Sequence, residues 1–161
     1  MLKTTTRGAI RNGLLVAVLA LSSATLAGVA IAGECPADQK KADAREPVTL
    51  GHEGVTDTVI AMIDVSKEPA NIDRKFRMRK LTIAPGGVVP WHSHGDRPAI
   101  IYVVSGEILE YASNCSVPIV HKTGEVVAET SEVSHWWKNL GDETAVLLSA
   151  DLLKDENDHH M

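Results

Sequence analysis

The sequence has no excess of positive charge. It contains 16 Lys and Arg residues against 21 Asp and Glu residues, a formal net charge of −5, so its overall balance is acidic. Nucleic acids and anionic membranes attract proteins through clustered Lys and Arg, so we expect neither as a partner. The chain also lacks a Ser/His/Asp arrangement, a glycine-rich phosphate loop and a pair of catalytic carboxylates. These absences argue against nucleophilic catalysis and phosphate binding.

Acidic residues are missing from the first 32 positions. Three basic residues, Lys3, Arg7 and Arg11, precede the apolar run Gly13–Ile31, and Ala30-Ile31-Ala32 fits an A-x-A cleavage site. A membrane anchor would need a similar apolar run, but the many small residues favour a cleaved signal peptide over residues 1–32. We therefore predict Sec-type export to the periplasm or the outside of the cell. Cleavage would remove three positive charges and leave −5 − 3 = −8.

Cysteine is scarce, with only Cys35 and Cys115. Neither has a second cysteine at metal-ligand spacing, so a thiolate metal site is disfavoured. Both would remain in an exported chain, where disulfides persist, and a Cys35–Cys115 disulfide is predicted; two unpaired thiols are the alternative. The bond would close an 80-residue loop. It would stabilise the fold by about 4 kcal/mol, because it restricts the conformations of the unfolded chain.

Helical periodicity is absent after residue 32. Short apolar or alternating runs bounded by turn residues predict an all-β domain over residues 48–153, an antiparallel sandwich or barrel of the jelly-roll type. A polar lead-in (33–47) precedes it, and a charged tail (154–161) that we expect to fray follows it. Charged positions in Lys75–Ile83 predict one solvent-exposed face or a sheet edge, and Ala84–Gly87 is a predicted turn. The predicted strands are Val48–Leu50, Thr58–Val65, Lys75–Ile83, Val88–His94, Ala99–Ser105, Ile108–Tyr111, Pro118–Lys122, Val126–Ala128, Val133–Lys138 and Thr144–Leu153.

Two histidines one residue apart stand out in the segment Gly86–Gly106. Side chains alternate along a strand, so His92 and His94 should point to the same face. Two neighbouring imidazoles are half of a metal site. A third histidine, His135, lies in a later predicted strand.

These segments resemble the paired motifs of the cupin superfamily, a double-stranded β-helix. The family's first motif runs glycine, five residues, His-x-His, three or four residues, glutamate, six residues, glycine. This chain has Gly86, His92, His94, Ala99 and Gly106 at those positions. The chain resembles a small single-domain cupin of the type-2-like kind. The first motif has one departure, since alanine stands where the glutamate would be.

The second motif runs glycine, five residues, proline, one residue, glycine, two residues, histidine, three residues, asparagine. Here Gly124, His135 and Asn139 match, while Thr130 and Glu132 replace the proline and the second glycine. The resemblance implies that His92, His94 and His135 hold a divalent transition metal, with Asn139 as a turn residue. Imidazole ligands suit iron, which an oxygenase would use, and also zinc, copper, nickel or manganese.

The alanine at position 99 leaves two interpretations, a three-histidine metal site or a metal-free descendant. Three neutral imidazoles would leave a divalent ion at +2 and favour anionic ligands. Asp96 is the best placed residue to restore a carboxylate, ahead of Glu107 and Glu110. Arg97 can contact a substrate anion, or it is a solvated loop residue.

Strand alternation also predicts a pocket wall, in which Trp137 is the residue most expected to touch a ligand. The other inward positions are Ala99, Ile101, Val103 and Val88. The lone histidines His52 and His121 are expected to be structural or exposed. Outward aromatics (Trp91, Tyr102, Trp136) raise the expectation of a homodimer.

Three functions fit these patterns. The first is an exported metal-dependent cupin dioxygenase acting on a small organic acid, a diketone or a phenolic compound. The second is a non-catalytic periplasmic cupin that binds a metal or a small ligand. The third is a metal-free structural cupin. The absence of an identifiable general base favours oxygenase chemistry over hydrolysis or isomerisation.

Overall fold

The computed structural model describes residues 33–154, so the predicted signal peptide and the tail after Lys154 lie outside the described residues. Apart from two short 3₁₀ turns, Ala37–Gln39 and Val65–Lys67, its regular structure consists of strands. They are β1 (Glu53–Asp64), β2 (Lys75–Ser93), β3 (Ala99–Ser105), β4 (Glu107–Ala112), β5 (Ile119–Lys122), β6 (Val126–Glu129), β7 (Ser134–Lys138) and β8 (Ala145–Leu153). Within residues 33–154, no helix is long and apolar enough to cross a membrane.

The strands form one curled antiparallel sheet in the order β5-β4-β7-β2-β8-β3-β6, with β1 alongside β2. The 19-residue β2 joins its two halves. Its first part, Lys75–Ile83, pairs with β1 and β8, and its later part, from Val88 to Ser93, pairs with β7. The all-β jelly-roll prediction is confirmed.

Two predicted strands are one in the structure. The predicted turn Ala84–Gly87 is a bend inside β2, where Gly86 has a φ of 78°. A Cβ on Gly87 would lie 2.8 Å from the carbonyl oxygens of Ala84 and Gly54, too close for any side chain. The glycines therefore let β2 change neighbours without breaking. The predicted strand Val48–Leu50 was wrong, since β1 begins at Glu53.

The main core fills the inside of the curled sheet. It consists of Leu81, Ile83, Val89, Ile101, Val103, Ile108, Trp137, Ala145 and Leu147. A second cluster surrounds the predicted Cys35–Cys115 disulfide, which the structure contains. Lys40 also bridges to the backbone of Cys115, so residues 35–40 are held against the end of the barrel.

The solvent-exposed face predicted for Lys75–Ile83 is present, since Phe76 and Lys80 are exposed, but the arginines of this segment lie on the opposite face. Arg77 and Arg79 are buried, and so is Arg97, which was expected in solvent if it did not bind a substrate. The reason lies in β8, where Asp151 stands directly opposite Arg77. Its carboxylate accepts hydrogen bonds from Arg77 Nε (3.0 Å) and Nη2 (2.7 Å) and from Arg97 Nη1 (2.9 Å). Arg79 Nη1 donates to Asp57.

The buried carboxylate of Asp151 therefore compensates several positive charges. Burial alone would raise the pKa of Asp151, but hydrogen bonds from Arg77 and the charge of Arg79 hold it below its usual value. A carboxyl group whose pKa is lowered by folding adds stability above its unfolded pKa. That stability is lost as the pH falls through the folded-state value.

We expect Asp151→Asn to lower the free energy of unfolding by about 3–5 kcal/mol at pH 7, because it leaves buried arginines without their counter-charge. Urea denaturation followed by circular dichroism measures the loss, and the difference from the wild type should shrink under acid conditions. Asp96→Asn is the matched control, since that carboxylate is exposed and pairs only at the surface with Arg74. An Asp151→Asn protein as stable as this control would contradict the assignment.

Candidate metal centre

Three histidines meet inside the barrel at the end of β2. His92 lies in β2 directly opposite His135 in β7, and His94 follows just after β2 ends. Their Nε2 atoms are 3.2 Å apart for His92–His94, 3.2 Å for His92–His135 and 3.3 Å for His94–His135. His94 and His135 are buried and His92 is half-buried. The three histidines named from the motifs thus form a group that could hold a metal ion.

Each imidazole is oriented by an acceptor on its outer nitrogen. The Nδ1 atom of His92 lies 2.9 Å from the carbonyl oxygen of Pro90, and that of His94 lies 3.1 Å from the carbonyl oxygen of Arg97. For His135, Nδ1 lies 2.6 Å from a carboxylate oxygen of Glu110. Nitrogens that face acceptors carry the proton, so the Nε2 lone pairs of the neutral rings point at one another.

Converging lone pairs fit a cation. Two nitrogens bonded to one ion at about 2.1 Å lie about 3.0 Å apart in an octahedral arrangement and about 3.4 Å apart in a tetrahedral one. The observed 3.2–3.3 Å separations fall between these values. Burial and the neighbouring His135 lower the pKa of His92 to about 2, so His92 is neutral, as a ligand must be. The donor set therefore fits a divalent transition metal.

Glu110 lies behind His135 and links it to a fourth histidine. Its other carboxylate oxygen accepts from His121 Nε2 at 2.8 Å, and both groups are buried. Burial would raise the pKa of Glu110, but hydrogen bonds from His121 and His135 lower it to about 2. The ionised carboxylate thus holds the Nδ1 proton of His135, an arrangement that orients metal-ligating histidines. Glu110 was considered as a direct ligand, but its contacts place it behind the ligand; His121 is structural, as expected.

A β-bulge changes one predicted pocket residue. Val89 pairs with Trp137 and His92 pairs with His135, so β2 has two residues between these pairs where β7 has one. The extra residue reverses the alternation, and Val89 rather than Val88 shares the inner face with His92. The prediction of Val88 assumed a regular strand and was wrong.

The proposed extra carboxylate ligand Asp96 does not join the histidines. Its side chain is 63% exposed, and its Oδ2 pairs with Arg74 at 3.2 Å, because Gly95, with a φ of 43°, turns the chain away. Glu107 is exposed as well and lies 3.9 Å from Lys122. Arg97, predicted as a substrate anion contact, is 2% exposed and pairs with Asp151.

The carboxylate that does reach the histidines is Glu129, which sequence reasoning missed. It ends β6 and is buried. One oxygen lies 2.8 Å from His94 Nε2 and the other 3.3 Å from His135 Nε2. Burial would lower the pKa of His135, but the hydrogen bond to Glu110 and the charge of Glu129 raise it. The predicted strand Val126–Ala128 stopped one residue short, and only its pairing with β3 could have revealed Glu129.

Two cavities adjoin the site. A small one of about 20 Å³ is lined by His92, His94 and Glu129 together with Trp137, Ile101 and other core residues. It has room for roughly one water molecule. A larger cleft of about 430 Å³ reaches His135, Glu110 and Glu129 from the side of Gly33–Cys35. Trp137 and Ile101 thus line the small cavity as predicted, while Ala99 and Val103 are buried but are not among its lining residues.

Comparisons with known proteins agree with the fold. Residues 79–151 match the family model of the cupin domain. The cupin domain of Cnp3 from Schizosaccharomyces pombe has a similar fold, with 15% identity, a TM-score of 0.50 and coverage of 66% of this chain and 69% of that one. No curated protein matches the chain.

Two other solved structures give lower scores. A conserved barrel domain protein of the cupin 2 type from Salinispora arenicola is 16% identical, with a TM-score of 0.48 over 66% of this chain and 86% of that one. A predicted oxalate decarboxylase from Thermotoga maritima is 18% identical, with a TM-score of 0.44 over 66% and 99%.

We expect Glu110→Gln to weaken metal binding by about 10- to 100-fold, because a carboxamide no longer fixes the Nδ1 proton of His135 as a carboxylate does. Competition against a chromogenic chelator measures the affinity. Glu107→Gln, an exposed change on the same strand, is the matched control and should bind metal like the wild type. Equal affinities in the two variants would show that Glu110 does not orient a ligand.

Proposed function

Because this chain belongs to the cupin superfamily, we propose that His92, His94 and His135 hold a divalent transition metal and that the protein is a metal-dependent oxygenase. The observation that carries the proposal is the convergence of three Nε2 atoms whose rings are each oriented by an acceptor at Nδ1. Buried nitrogens whose lone pairs face one another lack hydrogen-bond donors, which is costly, and one cation would satisfy all three.

We infer an exported, periplasmic protein. The Cys35–Cys115 disulfide supports this inference, because disulfides persist in oxidising compartments and are rare in the cytosol. The basic and apolar character of residues 1–32 adds to the support.

The bound metal would supply a template for O₂ and substrate and a conduit for electrons. The residues of the chain position and shield that centre. Glu110 holds the proton at Nδ1 of His135, and carbonyl oxygens hold those of His92 and His94. Trp137 packs edge-on against His135, with ring centroids 5.7 Å apart, and helps exclude water.

The substrate proposed is a small organic acid, diketone or phenolic compound. The 430 Å³ cleft that reaches His135 is within the usual size range of small-molecule sites. Oxygenation is favoured over hydrolysis because the buried carboxylate of Glu110 already accepts from His121 and His135. It is therefore not placed as a free general base.

A second candidate is a binding protein without turnover. The observation that favours it is the small cavity beside His92 and His94, about 20 Å³, which leaves little space for two reactants on that side. In this case the metal itself, or one small ligand in the larger cleft, would be the cargo.

Elemental analysis of the full, untagged protein tests the proposal, with His92→Ala/His94→Ala as the control. We expect stoichiometric metal in the wild type and none in the control. Iron together with O₂ consumption on a panel of small acids, diketones and phenolics supports the oxygenase. Tight zinc or copper without turnover supports the binding protein. A wild-type protein that takes up no metal under any loading condition would contradict both candidate functions.

A further inference from the structure

The geometry points to Glu129 as a fourth protein ligand of the metal. Its carboxylate would replace that of the family's motif glutamate, whose position in this chain is Ala99. This inference rests on the proposed metal centre and adds a ligand to it. It follows from strand register, from the contacts of Glu129 and from the charges around it.

Register places Glu129 beside the missing glutamate. In the β3–β6 pair, Ala99 stands directly opposite Glu129. Side chains directly opposite each other on antiparallel strands share one face, with Cβ atoms about 4.5–5.5 Å apart. A carboxylate from position 129 therefore enters the space that a glutamate at position 99 would enter. The methyl group of Ala99 is small enough to leave that space open.

Glu129 contacts two of the three histidines. Its two oxygens lie 2.8 Å from His94 Nε2 and 3.3 Å from His135 Nε2, and the residue is only 6% exposed. These are the nitrogens whose lone pairs face inward, since Nδ1 of each ring faces an acceptor. A buried carboxylate against such nitrogens needs a proton or a metal ion between them. A divalent ion satisfies both groups at once.

Neighbouring charges explain why only one of the paired positions 99 and 129 carries a carboxylate. Ala99 also stands directly opposite Asp151 on its other side, in the β3–β8 pair. Asp151 is already compensated by Arg77 and Arg97, but a glutamate at position 99 would stand directly opposite Glu129, and like charges directly opposite are destabilising. Alanine at 99 and glutamate at 129 are thus compatible, whereas two glutamates are not.

The assignment changes the charge expected at the metal. Three neutral imidazoles leave a divalent ion at +2, and one carboxylate ligand lowers this to +1. The ion should then attract anionic ligands less strongly than a site of histidines alone. The site would have the three-histidine, one-carboxylate composition of the family motif, with the carboxylate supplied from β6 instead of β3.

Cobalt binding tests the assignment without relying on activity. Co²⁺ is titrated into apo-protein of the wild type, Glu129→Gln, Glu129→Ala and the exposed control Glu132→Gln, and both the affinity and the visible absorption of the bound ion are recorded. We expect the two Glu129 variants to bind at least about 10-fold more weakly, with an altered spectrum, and the control to match the wild type.

A relocated carboxylate separates a lost ligand from a disturbed fold. Ala99→Glu/Glu129→Ala should recover most of the affinity lost in Glu129→Ala, because it restores one carboxylate at the opposite register position. A double variant as weak as Glu129→Ala would contradict the assignment. Wild-type affinity and spectrum in Glu129→Gln and Glu129→Ala would overturn it while leaving the metal centre intact. Failure of the wild type to bind Co²⁺, iron or zinc would instead overturn the proposed function, and this inference with it.

Discussion

The register between β2 and β7 is the constraint on which the metal centre depends. It sets His92 directly opposite His135, and the bulge at Pro90 and Trp91 keeps both on the inner face together with Val89 and Trp137. A slip of one residue would turn the histidines outward. The same strand, β2, is also the link between the two halves of the curled sheet. The fold and the site therefore depend on one ladder of hydrogen bonds.

The buried charged groups of this barrel lie in contact with groups that compensate their charge. Asp151 is surrounded by arginines from β2 and from the loop before β3, and Glu110 lies between His121 and His135. Such groups cost several kcal/mol each when left unpaired, and much less when paired with good geometry. A cation among the histidines would also give the carboxylate of Glu129 its counter-charge. The electrostatics and the lone-pair geometry therefore lead to the same conclusion by separate routes.

Local patterns were enough to predict much of the molecule. Alternation predicted the β domain, and the likeness of the spacing around His92, His94 and His135 to the cupin motifs predicted the histidine cluster. The disulfide was predicted because the chain has only two cysteines and was expected to be exported. Several of the errors concern cross-strand register. Val88 was chosen over Val89 because a bulge leaves no clear mark in sequence. The buried arginines of β2 and the approach of Glu129 depend on which strands lie side by side, which the sequence alone does not reveal.

X-ray absorption at the metal edge of the full, untagged protein tests the central claim most directly, because it identifies the atoms around the bound ion. The account predicts a first shell with three imidazole nitrogens and a carboxylate oxygen, and loss of the imidazole signal in His92→Ala/His94→Ala. A bound metal whose shell contains no imidazole, or whose spectrum is unchanged in that variant, would contradict it.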